Sequence, residues 1–360
     1  MTKLTRRQFL RTSGASAAVF MTGAAPAFLS PASSLGGTIT VMGYPGDFRA
    51  KFTRHIIGPF ERQFPNVRVS YFEGGNSAQM VGLLRSQRND PQIDVAIIDA
   101  SVTASVNQEG LFRPLTDAEL PNLRELLPEA TRFTRGFGPA CTFDSYCLLY
   151  DTTRVRLRSL AQWWEPASRG HLGFAAPPNI QGIALTLLVN RMMGGDYKQS
   201  VDPAFAKLKE LAPSVRTFHP NPNGLTLVLT GAVSLSTSWN AGSQQRRDEV
   251  GGTLGILIPP EGAIVIMDTV NVINGTRQLD AALAFANYVI SARAQQAFAE
   301  ATYYGATNAR SIVRDDVLRR SVGNPVLQAR IAPVDWAFVS PLRDEWTERW
   351  RRHVIAIPRG

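Results

Sequence analysis

The side chains best suited to bond-making chemistry are few and do not gather into a recognisable set. His55, His171, His219 and His353 are widely scattered along the 360 residues, and each reads as a surface or structural residue in preference to a ligand or base. There is no Gly-x-Ser-x-Gly elbow, no phosphate loop ending in Lys and Ser or Thr, no His-Glu-x-x-His and no CxxC pair. The chain therefore offers no positive reason to propose an enzyme, and no motif for a metal or cofactor. The acids at the ends of apolar runs, Glu73 and Asp99, read as solvated loop carboxylates; Asp144 lies where it could reach a cleft, though its neighbours do not require that.

The elements that must position such residues are plainer. Residues 38–42 form a β-branched run. From Asp47, the apolar residues Phe48, Phe52, Ile56, Phe60 and Phe64 recur every four positions until Pro65 ends the helix. Residues 67–72 are a second strand, and Gly74-Gly75-Asn76 turns into a helix carrying Met80, Val81 and Leu84. Residues 93–98 form a third strand, apolar enough to be buried on both faces of a parallel sheet. The order β-α-β-α-β predicts a doubly wound α/β domain.

A second unit is expected from about Cys141, with residues 147–150 as a strand crossing between the two. After it come short strands at 256–258, 264–267 and 270–273, then helices over 279–290 and 291–302, the second with Ser291 as its N-cap. If the segment joining Cys141 to Cys147 is extended, their Cα atoms lie about 20 Å apart and both thiols stay free and buried. A turn there would permit a disulfide.

Composition and charge bound the partners. A hydrophobic fraction of 44% with 19% charged residues is globular, and no uninterrupted apolar run reaches eighteen residues. Paired Arg6 and Arg7, an apolar stretch over 15–28 and Ala25-Pro26-Ala27 predict a twin-arginine export signal at 1–27, hence a periplasmic protein. Cleavage after Ala27 removes Lys3, Arg6, Arg7 and Arg11 and no acid, lowering formal charge from +9 to +5. What remains is dispersed, so nucleic acid is a poor partner.

Over residues 38–308 the order of segments resembles the spermidine/putrescine-binding branch of bacterial extracellular solute-binding proteins, the type II periplasmic binding proteins of ABC importers. The resemblance rests on Asp94-Val95-Ala96-Ile97-Ile98, Leu148-Leu149-Tyr150-Asp151, Ser159-Leu160-Ala161-Gln162-Trp163-Trp164 and Gly231-Ala232-Val233-Ser234-Leu235. To these are added Ser238-Trp239-Asn240, Ile258-Pro259-Pro260-Glu261-Gly262-Ala263 followed by Asp268, and Tyr303-Tyr304-Gly305-Ala306-Thr307-Asn308. It implies two doubly wound α/β lobes joined by crossing hinge strands, with a ligand cleft between them: lobe 1 over 38–140 and 271–325, lobe 2 over 141–270, and a helical tail over 326–360. The implied protein is a monomer that captures a small cationic solute, a polyamine or related amine, for a membrane permease.

A polyamine site needs carboxylates for the ammonium groups and aromatic faces for the methylenes. The resemblance places in it Tyr44, Asp47, Phe48, Ser101, Trp239, Asp268 and Tyr304. Taken alone, Trp239 reads as a core tryptophan, Asp268 as a strand-end cap or ion-pair partner, and Asp47 as the start of an amphipathic helix, where N-capping competes with ligand binding. The pattern also departs from long-polyamine relatives: the stretch Pro177-Pro178-Asn179-Ile180-Gln181 carries no acid, and Ile266 stands where an aromatic is expected. A ligand with one ammonium group, or a different small cation, is thus nearly as well supported as spermidine or putrescine. Other readings on the same fold are a thiamine-like cation, an anion held by cleft arginines and helix N-termini, a ferric ion, or a periplasmic enzyme. The ferric reading would place adjacent tyrosines where this chain has Trp239-Asn240.

Overall fold

The computed structural model describes residues 35–132 and 134–357, so the export signal expected at 1–27 lies outside the described residues. Strand β1 (Gly37–Gly43) buries Ile39, Val41 and Met42 completely. Helices α1 (Asp47–Phe52) and α2 (Gly58–Gln63) are joined without a break by one π-helical turn at Thr53–Ile57. The four-residue apolar spacing explains it, because such a row drifts about 40° per step around an α-helix and a wider turn pulls it back. Phe52, Ile56 and Phe60 consequently all reach the core, Phe60 lying edge-on to Phe285 at 5.0 Å.

Next come β2 (Val67–Glu73), α3 (Ser77–Ser86), opened by a capping box between Asn76 and Gln79, β3 (Val95–Asp99) and α4 (Ala100–Val106). The three strands are parallel with β1 in the middle. The chain therefore winds one way from β1 to β2 and the other way to β3, which creates a switch point at the carboxyl ends of β1 and β3.

The long strand β4 (Ala140–Asp151) leads into β5 (Leu172–Gly173), α5 (Ile180–Met192), α6 (Asp202–Leu211), β6 (Val215–Thr217), α7 (Gly224–Leu229), β7 (Leu235–Trp239), α8 (Asn240–Val250), β8 (Leu254–Leu257) and β9 (Ala263–Val272). Here β5 lies between parallel neighbours β6 and β7, giving a second switch point. The first half of β4 pairs antiparallel with β9 and its second half with β7 and β8, while β9 also pairs with β3. Two crossing strands thus tie together two α/β lobes. Each lobe has its own core, one around Phe52, Phe60, Val95, Val270 and Phe285, the other around Leu160, Trp163, Phe174, Leu188 and Leu208.

Two expectations change on inspection. The separate strands anticipated at 264–267 and 270–273 are one strand, because Asp268 and Thr269 interrupt only the apolar pattern: Asp268 is paired through the backbone with Asp99 on one side and Thr142 on the other. The crossing strand expected at 147–150 begins seven residues earlier, at Ala140. Cys141 and Cys147 both lie on this extended strand, buried and free.

The chain continues through α9 (Leu279–Val289), α10 (Ala292–Thr302), α11 (Asp315–Leu318), α12 (Pro325–Gln328), β10 (Ile331–Ala332), α13 (Trp336–Val339) and α14 (Arg343–Trp350). The Ser291 side chain accepts the Ala294 amide at the start of α10, as the sequence predicts. Beyond α12, Trp336, Val339, Trp346 and Trp350 sink into the second lobe's core. Among the described residues no helix is long and apolar enough to cross a membrane.

Candidate ligand-binding cleft

The carboxyl ends of the parallel strands in both lobes open onto one cleft of about 770 Å³. Tyr44 follows β1, Ser77 starts the helix after β2, and Asp99 and Ser101 end β3 and begin α4. From the other lobe, Ile180 and Gln181 begin α5, Asn223 and Leu225 lie at the start of α7, and Trp239 ends β7. Between the two sets run the crossing strands, which present Thr142, Asp144, Ile266 and Asp268. Both switch points thus feed one site, where α/β folds ordinarily bind ligands.

The floor of the cleft is acidic. Asp268 accepts from the Tyr44 hydroxyl at 3.0 Å on Oδ1 and from the Thr142 hydroxyl at 2.9 Å on Oδ2. Burial and then the neighbouring Asp99 push its carboxyl up to about 7, against the pull of those two donors. Asp144, 4% exposed, receives the Ser145 amide at 2.8 Å and the Ala241 amide at the start of α8 at 3.0 Å, and burial raises it to about 7 as well. Asp99 caps α4 by accepting the Ser101 amide at 2.8 Å and also holds the Ser101 hydroxyl. Burial raises its carboxyl too, with the Ser101 hydrogen bonds, and then Arg343, acting in the opposite sense.

Aromatic rings surround these acids. Tyr44 meets Phe48 edge-on at 5.4 Å, Phe48 approaches Tyr304 at 6.4 Å, and Tyr304 stacks on Phe298 at 5.7 Å with planes 6° apart. Across the cleft Trp239 stands edge-on to the buried Tyr146 at 5.9 Å. Tyr44 also shares a 2.8 Å hydrogen bond with Ser77, and burial raises its hydroxyl well above the ordinary tyrosine range.

The structure brings Tyr44, Phe48, Ser101, Trp239, Asp268 and Tyr304 to this cleft. Asp47 is not among the cleft-lining residues. It occupies the first turn of α1 with its side chain 81% exposed, paired with Lys51 at 3.3 Å, and the N-cap position belongs to Gly46. Asp99 and Asp144, which sequence reasoning treats as a solvated carboxylate and an undetermined one, both line the cleft, and so does Arg343. Asp99 carried a usable signal, since it terminates an apolar parallel strand. Arg343 carried none, because only the packing of the tail brings it here. Among the described residues no group of three or more His, Cys, Asp or Glu could hold a metal ion.

A family profile described as bacterial extracellular solute-binding protein matches residues 55–319. The chain is 24% identical to a probable ABC transporter periplasmic-binding protein of Sinorhizobium fredii, over 74% of each chain. It is 22% identical to the spermidine/putrescine-binding periplasmic protein of Escherichia coli, over 70% of this chain and 74% of that one. It is 24% identical to the gamma-aminobutyric acid-binding protein of Pseudomonas aeruginosa, over 78% and 79% respectively. Among solved structures, an ABC transporter substrate-binding protein from Bradyrhizobium japonicum superposes with a TM-score of 0.75 at 19% identity, covering 88% of this chain and 99% of the other.

Proposed function

The chain belongs to the bacterial extracellular solute-binding protein family, and from that premise we propose that its cleft captures a small solute carrying a protonated amine, the class to which polyamines such as putrescine and spermidine belong. The family and the fold are those of solute-binding components of ABC transporters, which deliver solute to a membrane permease, and not of enzymes. The observation that carries the amine reading is the grouping of Asp99, Asp144 and Asp268 on the cleft floor among four aromatic rings. A desolvated ammonium needs opposite charge within hydrogen-bond reach, and its flanking methylenes are covered by the ring faces, with cation–π contacts of about 0.5–2 kcal/mol each. The relatives named for polyamines and for gamma-aminobutyric acid share one feature in their ligands, a primary ammonium.

Titration calorimetry with putrescine, spermidine, a choline-like cation and an anionic control tests the reading. Asp268→Asn keeps the shape and removes the charge, and should cost about 2–4 kcal/mol of amine affinity because the bound ammonium loses a buried partner. Tight binding of the anion alone, or amine binding untouched by Asp268→Asn, would defeat it.

A further inference from the structure

The cleft is not acidic throughout, because the guanidinium of Arg343 also lines it. The C-terminal segment fixes that group in place. Arg343 opens α14 and donates Nη2 to the Pro178 carbonyl at 3.2 Å, just before α5 begins. Seven residues on, Trp350 donates Nε1 to the Thr186 hydroxyl of α5 at 2.8 Å. The two helices therefore run side by side in the same direction, with both amino ends at the cleft. Trp346 and Trp350, buried in the second lobe's core, hold α14 against sliding.

The hydrogen bond to Pro178 uses one of the five guanidinium N–H donors and leaves the charge itself without a carboxylate. A cation at the first residue of a helix opposes the helix dipole, and among the described residues Arg343 has no ion-pair partner. It lines the same cleft as Asp99 and Asp268, entering from the side of Pro178 and α5, and its field is felt at Asp99. The amino end of α5, whose Ile180 and Gln181 also line the cleft, adds positive potential on the same side. One wall thus suits an ammonium and another suits an anion.

Resting on the amine reading, we propose that the site is dipolar and that Arg343 pairs with a carboxylate at the other end of the solute. The preferred class is then an ω-amino acid, with its ammonium at Asp268 and Asp99 and its carboxylate at Arg343. A diamine of equal length would set its second ammonium against the guanidinium, a like-charge contact that selects against it.

Calorimetry with 4-aminobutyrate, putrescine and butyrate, extended to longer and shorter members of the amino-acid and diamine series, tests the assignment on the mature chain. The ω-amino acid should bind at least about tenfold more tightly than the matching diamine. Arg343→Gln should weaken it by about 10- to 100-fold and leave diamine binding unchanged or improved, with Arg343→Lys intermediate. Should Arg343→Gln fail to fold, the wild-type preference and Arg343→Lys decide alone. Tighter binding of diamines, or ω-amino acid binding indifferent to Arg343→Gln, overturns the Arg343 assignment and leaves the amine reading standing. Binding of butyrate with neither amine series, or of no probe at all, overturns both.

Discussion

Asp99 and Asp268 are register partners across the antiparallel strands β3 and β9, so two carboxylates stand side by side on the floor of the cleft. Neither can ionise there without raising the cost for the other, and with burial this holds Asp268 up to about 7. An incoming ammonium reverses the balance, since it supplies the opposite charge the pair lacks. An amine that binds there should therefore displace a proton from this pair.

The first prediction follows from that linkage. Amine affinity should rise with pH until Asp268 is ionised near 7, changing by up to about tenfold per unit below that point and levelling above it. Calorimetry at about pH 5.5 and about pH 8 checks it. Asp268→Asn should flatten the profile, and a wild-type affinity constant across this range would show that Asp268 is already charged in the free protein.

Stability should show the opposite trend. Asp144 and Asp268 both have folded-state values raised to about 7, above the unfolded carboxylate value of about 4, so between those limits the folded state holds more protons. Their contribution is fully present below about pH 4 and is lost as pH rises through about 7. Thermal unfolding of the ligand-free protein should accordingly show a falling midpoint from about pH 5 to about pH 8, with a shallower fall in Asp144→Asn. A midpoint that does not fall over this window would mean that the folded protein already holds both carboxyls ionised.

Much of the scaffold is legible in the sequence because apolar periodicity is a local signal. The row from Phe48 to Phe64, the almost wholly apolar third strand and the Ser291 cap each declare themselves within a dozen residues. The cleft is less legible for the same reason. Asp268 and Thr269 look like a gap between two strands, since their polar faces are tolerated only where β3 and β4 pair on either side. Asp99 looks solvated until Asp268 is placed opposite it. Arg343 is invisible, because its place in the cleft depends on Trp350 reaching Thr186 on a helix far back in the chain. Asp47 misleads in the other direction: the resemblance places it in the cleft, but the first turn of α1 points it outward to Lys51.

Trp239 provides a test of the aromatic wall. It ends β7, lines the cleft and is braced by the fully buried Tyr146 behind it. Trp239→Ala should cost about 1–3 kcal/mol of binding, less than loss of the Asp268 charge, and Trp239→Phe should recover part of it. Loss of folding in Trp239→Ala, seen as an early unfolding transition, would assign the ring to the core instead.

Export is tested separately from binding. We propose that Arg6 and Arg7 form a twin-arginine signal, on the strength of the apolar stretch and the Ala25-Pro26-Ala27 site that follow them. Replacing both by lysine should leave unprocessed but folded and ligand-competent protein in the cytoplasm. Normal processing of that variant would point to a different route.

The last prediction concerns closure. Thr142, Asp144, Ile266 and Asp268 all sit on the two strands that pass between the lobes, so a solute in this cleft would touch the crossing strands as well as the facing loops. Lobes that share a ligand in this way gain contacts only when they approach, and hinge closure is the expected response. X-ray scattering should give a smaller radius of gyration in the saturated protein than in the free one. Asp268→Asn should need a much higher ligand concentration to reach the same compact state, because its lost charge lowers the affinity that drives closure and leaves the strands intact. Identical scattering with and without a ligand shown by calorimetry to bind would establish a rigid cleft and defeat the hinge.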